Sequence, residues 1–154
     1  MLRAGGRGTA GMLRPMADDT LPFDFDAVAE HTVAGLLEIE TVEARPTRVV
    51  MRVPVTWKTH QPFGILHGGV SALLAESAAS YGGALSAPRG KTVVGIELNA
   101  SHLRPMREGV LTATATPVRT GRTVQVWSIA LTDDEGRAVC HARCTLAVVD
   151  RPAG

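Results

Sequence analysis

Between Gly68 and Ala87 this chain carries a single charged residue, Glu76, and neither lysine nor arginine. A surface helix normally shows a charged face, and one that is apolar or small all the way round is normally buried. The stretch therefore predicts a central helix, with Val70, Leu73, Leu74, Ser77 and Tyr81 along one side and Gly69, Ala72, Glu76, Ser80 and Gly83 along another. The second side is built of small residues, which lets another backbone come close, and it holds a carboxylate midway. Carboxylates are rarely buried unless paired or used. The same helix is thus expected to be the core of the domain and the seat of its chemistry.

At 154 residues the chain has the length of one domain with a full hydrophobic core. A net charge of +1 gives no case for a nucleic-acid partner, and no apolar run approaches the ~20 residues that a membrane span requires. Cys140 and Cys144 fall in one predicted strand, where i and i+4 lie ~13 Å apart, too far for a disulfide. They read as reduced, buried thiols of a cytosolic protein. His141, between them, points to the opposite face, so no metal site is expected.

Met1 to Asp19 is rich in glycine and arginine with no apolar period, which predicts a disordered leader ahead of a domain over 20–150. It is basic like a transit peptide, or else translation starts at Met12 or Met16. Asp24 to His31 predicts a short helix, capped near Asp24 and ended by Gly35. Two strands follow, Leu36 to Glu43 and Arg48 to Val55, around a turn near Arg45-Pro46. In the second, Val49, Met51, Val53 and Val55 alternate with Val50, Arg52 and Pro54. Trp57 to Leu66 is a loop that delivers the chain to the central helix, and Pro88-Arg89-Gly90 is the turn beyond it. Four strands then read as a meander: Lys91 to Arg104, Gly109 to Val118, Thr123 to Asp133 and Arg137 to Val149. The last pair is joined by Asp133-Asp134-Glu135-Gly136, a hairpin turn. Such an antiparallel sheet has one face to cover and one long helix to cover it. The expected class is α+β, a sheet wrapped around a single helix.

Gln61-Pro62-Phe63-Gly64-Ile65-Leu66-His67-Gly68-Gly69, followed by Leu74-Ala75-Glu76-Ser77, resembles the signature of the hotdog-fold acyl-CoA thioesterases. Within them the chain is most similar to the branch of the 1,4-dihydroxy-2-naphthoyl-CoA and 4-hydroxybenzoyl-CoA hydrolases. The resemblance continues through Val93 to Ala100, Arg107-Glu108-Gly109 and Gln125-Val126-Trp127, and covers Gly35 to Val149. It implies that Glu76 is the nucleophile or general base and that the Gly68 N–H is the oxyanion donor. Gln61 and His67 would place the carbonyl or water, and Ser80 would orient Glu76 or the water. Arg104, Arg122 and Thr123 resemble the region that binds the CoA nucleotide. His102 shares a strand face with Arg104 and could meet phosphate. No separate cofactor is implied, since coenzyme A is part of the substrate. The family commonly pairs dimers into tetramers, which implies a homotetramer, a dimer of dimers.

The chemistry suits these groups. Thioester hydrolysis builds negative charge on the carbonyl oxygen, and a helix N-terminus offers free N–H groups with about half a positive charge. Glu76, in small and apolar surroundings, would gain basicity as water is stripped from it. Gly68 and Glu76 are eight residues apart, so ~12 Å along the axis at ~1.5 Å per residue. A reacting carbonyl must lie ~3 Å from both donor and attacker, which one helix cannot arrange. Two antiparallel copies across a twofold axis can, with two shared sites per dimer.

Simpler roles stand beside these. His67 caps the helix, or it orients substrate or Gln61. Gln61 could satisfy loop backbone groups, Ser80 could be packing, and Trp57 and Trp127 read as core or interface. Two other functions fit the fold. A hotdog hydratase or dehydratase would need a differently spaced His and Asp or Glu. A non-catalytic acyl-CoA sensor would bind without releasing thiol.

Overall fold

A strand that alternates apolar and polar side chains can bury only one face, and in this chain that face is turned on a single helix. The computed structural model describes residues 29–151. The predicted leader and most of the predicted Asp24–His31 helix lie outside them. Gly35 does not end that helix; it lies within a short one, α1 (Val33–Leu36), capped by Thr32.

Among the described residues the sheet has six strands, all antiparallel. β1 (Glu40–Arg45) pairs with β2 (Arg48–Pro54), and α2 (Gly68–Ser86) follows, then β3 (Lys91–His102). β4 (Val110–Thr120), β5 (Val124–Thr132) and β6 (Ala138–Asp150) form consecutive hairpins. The predicted four-strand meander is only three strands long: β3 does not lie beside β4 but pairs with β6 at the far edge, in the order β1-β2-β4-β5-β6-β3. Leu103 to Gly109, with Pro105 inside it, is too long for a tight hairpin, so nothing local ties β3 to β4.

α2 carries one charged residue, the exposed Glu76, and its buried side is Ser71, Leu74, Ala75, Ala78, Ala79, Gly82 and Gly83. It stops at Ala87, because the following Pro88 disfavours helical backbone in the residue before it. The inner face of the sheet meets it with Val49, Met51, Val53, Leu111, Ala113, Ala115, Ile129, Leu131 and Leu146. Trp127 is fully buried and lies over Gly82. Its indole N–H donates to Gln125 Oε1 at 3.0 Å, and Gln125 Nε2 donates to Gly83 O at 3.2 Å. Trp127 is therefore core, whereas Trp57 is 81% exposed.

Two expectations for the helix need correction. It is not enclosed all round, because one sheet covers one side: Gly69, Ala72, Leu73, Glu76 and Ser80 lie on the uncovered side of a single chain. Gly83 does not share that side with Glu76; it is buried against Leu146 and Val93. The cysteines behave as read. Cys140 and Cys144 are free and buried on the inner face, and His141 lies on the outer face, its Nε2 at 3.2 Å from Ser128 Oγ. Burial, with a further push from the Glu76 and Glu97 carboxylates, raises the Cys144 thiol to about 11, so it is no nucleophile near neutrality.

β3 is an edge strand with one neighbour, and it exposes Val94 and Ile96 at 47% and 59%. Its register shifts between Gly95 and Glu97, a bulge that bends the strand there.

Candidate active site

The loop before α2 is pinned by its own backbone. Thr56 and Thr59 cap the 3-10 turn Trp57–Thr59 reciprocally. Gln61 N–H donates to Ile65 O at 2.8 Å, Leu66 N–H to Met106 O at 2.7 Å and His67 N–H to Thr59 O at 2.9 Å. His60 Nε2 reaches Arg107 O at 2.8 Å. These contacts hold His67 as the N-cap of α2, where Nδ1 accepts the Gly69 N–H at 2.8 Å. Of its two readings, the structure shows the cap. An accepting Nδ1 leaves the proton of a neutral ring on Nε2. The Gly68 N–H, first in the helix, has no partner among the described residues.

Gln61 Oε1 accepts the Phe63 N–H. That contact orients the amide and leaves its NH2 free to donate. Gln61, Gly68, His102 and Arg104 line one concavity of about 360 Å³. His102 sits at the end of β3 with its imidazole edge against the Cα of Gly68.

Farther along α2, Glu76 and Ser80 line a second concavity of about 510 Å³ with Gly69, Ala72, Leu73, Ser77 and Leu98. The Glu76 carboxylate accepts no hydrogen bond among the described residues and is exposed in the single chain, so the expected burial is absent at this level. It lies over Gly95, where a Cβ would overlap Oε1. Gly95 is a site residue that motif reading quoted without a role. A glycine inside an apolar strand is the signal, since it marks a bulge or a close approach. Gly95→Ala is expected to displace the carboxylate and lower kcat ~10-fold or more. The thermal midpoint should barely move, because the group that must give way is the end of a flexible side chain. Steady-state kinetics beside a melting curve check both halves.

The predicted nucleotide-binding group is split. His102 and Arg104 lie at the end of β3 that faces Cys140, whereas Arg122 and Thr123 form the β4–β5 turn, where Thr123 O accepts the Val148 N–H at 2.9 Å. Cys140 and Val148 are eight residues apart on β6, ~26 Å at ~3.3 Å per residue. One chain cannot bring these four residues together. The strand Val110–Thr120 runs between the two turns, so an antiparallel sheet must place them at opposite ends.

A model of the Thioesterase superfamily matches residues 63–140. A 1,4-dihydroxy-2-naphthoyl-CoA hydrolase of Listeria monocytogenes is 47% identical over 110 residues, 71% of this chain and 89% of that protein. The proofreading thioesterase EntH of Klebsiella pneumoniae is 38% identical over 141 residues, 92% of this chain and 94% of that protein. Among solved structures, a thioesterase from Haemophilus influenzae superposes with a TM-score of 0.79 at 41% identity, covering 84% of this chain and 93% of that one.

Proposed function

The chain belongs to the Thioesterase superfamily and has its hotdog fold, and from that premise we propose that it is an acyl-CoA thioesterase acting on an aryl-CoA, with 1,4-dihydroxy-2-naphthoyl-CoA, a menaquinone precursor, as the specific candidate. One observation carries the mechanism: an unpartnered carboxylate, Glu76, stands on the open side of the helix whose first N–H, that of Gly68, is unclaimed. Glu76 either attacks the thioester carbon itself or takes the proton of the attacking water. The carbonyl π pair moves onto oxygen, where the helix N-terminus meets the charge. When the intermediate collapses the C–S bond breaks and the CoA thiolate leaves; where Glu76 is the nucleophile, water then cleaves the resulting acyl anhydride, releasing the acid and restoring the carboxylate. Gln61, through its free NH2, and the Nε2–H of His67 help to place the carbonyl, and Ser80 orients Glu76 or the water.

The two ends of this machinery sit ~12 Å apart along one helix, so the site is shared between two chains. The apolar, one-sided β3 edge supports that assembly. Antiparallel pairing of β3 with its copy would turn the Gly95 end of one strand, and with it Glu76, toward the His102 end of the other. It would also turn the Arg104 end of one chain toward the end of the other at which the β4–β5 turn lies. Arg122 and Thr123 can then join Arg104 around CoA, but only across chains. Two such dimers form the tetramer. No helix among the described residues is long and apolar enough to cross a membrane, and the free Cys140 and Cys144 fit a reducing cytoplasm.

The test is a panel of aryl-, phenylacetyl- and fatty-acyl-CoAs scored by kcat/KM with a thiol reagent. Thiol release fastest from the naphthoyl thioester is the expected result. Tight acyl-CoA binding without thiol release would make the protein a sensor, and a new double-bond absorbance without thiol would make it a hydratase or dehydratase.

A further inference from the structure

We propose that His102 is a catalytic residue, a second hydrogen-bond donor to the same carbonyl oxygen that the Gly68 N–H receives. The inference rests on the thioesterase reading and deepens it.

Along β3, Leu98, Ala100 and His102 alternate onto the face turned toward α2, so the strand aims the imidazole at the start of the helix. A Cβ placed on Gly68 would lie 2.8 Å from His102 Nε2 and 3.0 Å from Cε1. Covalent geometry puts such a Cβ ~2.5 Å from the residue's own nitrogen, so His102 Nε2 and the Gly68 nitrogen are no more than about 5.3 Å apart. One oxygen at ~2.9 Å from each donor fits between atoms that close. Neither group is spent elsewhere: the ring of His102 and the Gly68 N–H have no hydrogen-bond partner among the described residues. Both face the concavity that Gln61 and Arg104 also line.

The neighbouring histidine cannot take this part in the same way. The Nδ1 of His67 is engaged by the Gly69 N–H, which turns that ring into the first helical turn. A side chain at 68 would overlap the imidazole, so glycine there leaves the ring its place. Removing one donor aimed at an oxyanion typically changes kcat by ~10²- to 10³-fold.

The experiment compares the whole protein with His102→Ala and His102→Gln on the best thioester of the panel, and measures the affinity of each for coenzyme A by calorimetry. Expected is a kcat lowered ~100-fold in His102→Ala, with KM and coenzyme A affinity held within about threefold. His102→Gln, whose amide can donate across part of the same gap, should regain some of the rate. If His102→Ala fails to fold, His102→Gln must still show a lowered kcat at unchanged affinity. A kcat within about threefold of the parent in both variants overturns the proposal, and so does a loss confined to KM and coenzyme A affinity, which would make His102 a nucleotide contact. If the parent protein hydrolyses no thioester at all, the underlying reading fails, and a parent that turns over while both variants match it isolates the failure to His102.

Discussion

Glu76→Gln is expected to lower kcat on any accepted acyl-CoA by ~10³-fold or more while KM stays near that of the parent. The amide fills the same space and can still donate and accept hydrogen bonds, but it neither attacks a carbonyl nor takes a proton from water. Folding should hardly notice. Glu76 is exposed in the single chain and accepts no hydrogen bond among the described residues, so its loss should fall within the ~0.5 kcal/mol typical of surface changes. Glu76→Ala should be as inactive, with oligomeric state unchanged. Kinetics with a thiol reagent, together with thermal unfolding and light scattering, read all three. Full hydrolysis surviving in both variants would remove Glu76 from the chemistry.

Mixing two dead proteins should restore activity. Glu76→Ala keeps an intact helix N-terminus, and Gly68→Ala keeps an intact carboxylate but drives a Cβ into the His102 ring. In a hybrid dimer one of the two shared sites takes its donor from the first chain and its carboxylate from the second, and is whole. Random exchange makes half of the dimers hybrid, so about a quarter of the parent rate should return after subunits are unfolded and refolded together. Sites contained within single chains would give none. The outcome thus tests the ~12 Å separation of Gly68 and Glu76 directly.

Much of this was legible in the residues. The run from Gly68 with Glu76 as its one charge, the break at Pro88 and the alternation of Leu111, Ala113 and Ala115 with three threonines announce one helix and a half-buried sheet. Those are local signals, because periodicity records which face of an element meets apolar matter. Strand order is different: β3 alternates equally well beside β4 or β6, and only the packed whole selects β6. Gly83 misled for a related reason. Small residues surround it on every side of the helix, so spacing could not tell which side meets the sheet.

The amino-acid sequence by itself determined the helix, the strand faces, the buried cysteines and, through one motif, the candidate catalytic residues. The tertiary structure alone decided that Glu76 rests on Gly95 and that His102 lies against Gly68. The reason is one of range. Propensity and periodicity act over a few residues, whereas a site is made of groups tens of residues apart, brought together by pairings whose register no short window contains.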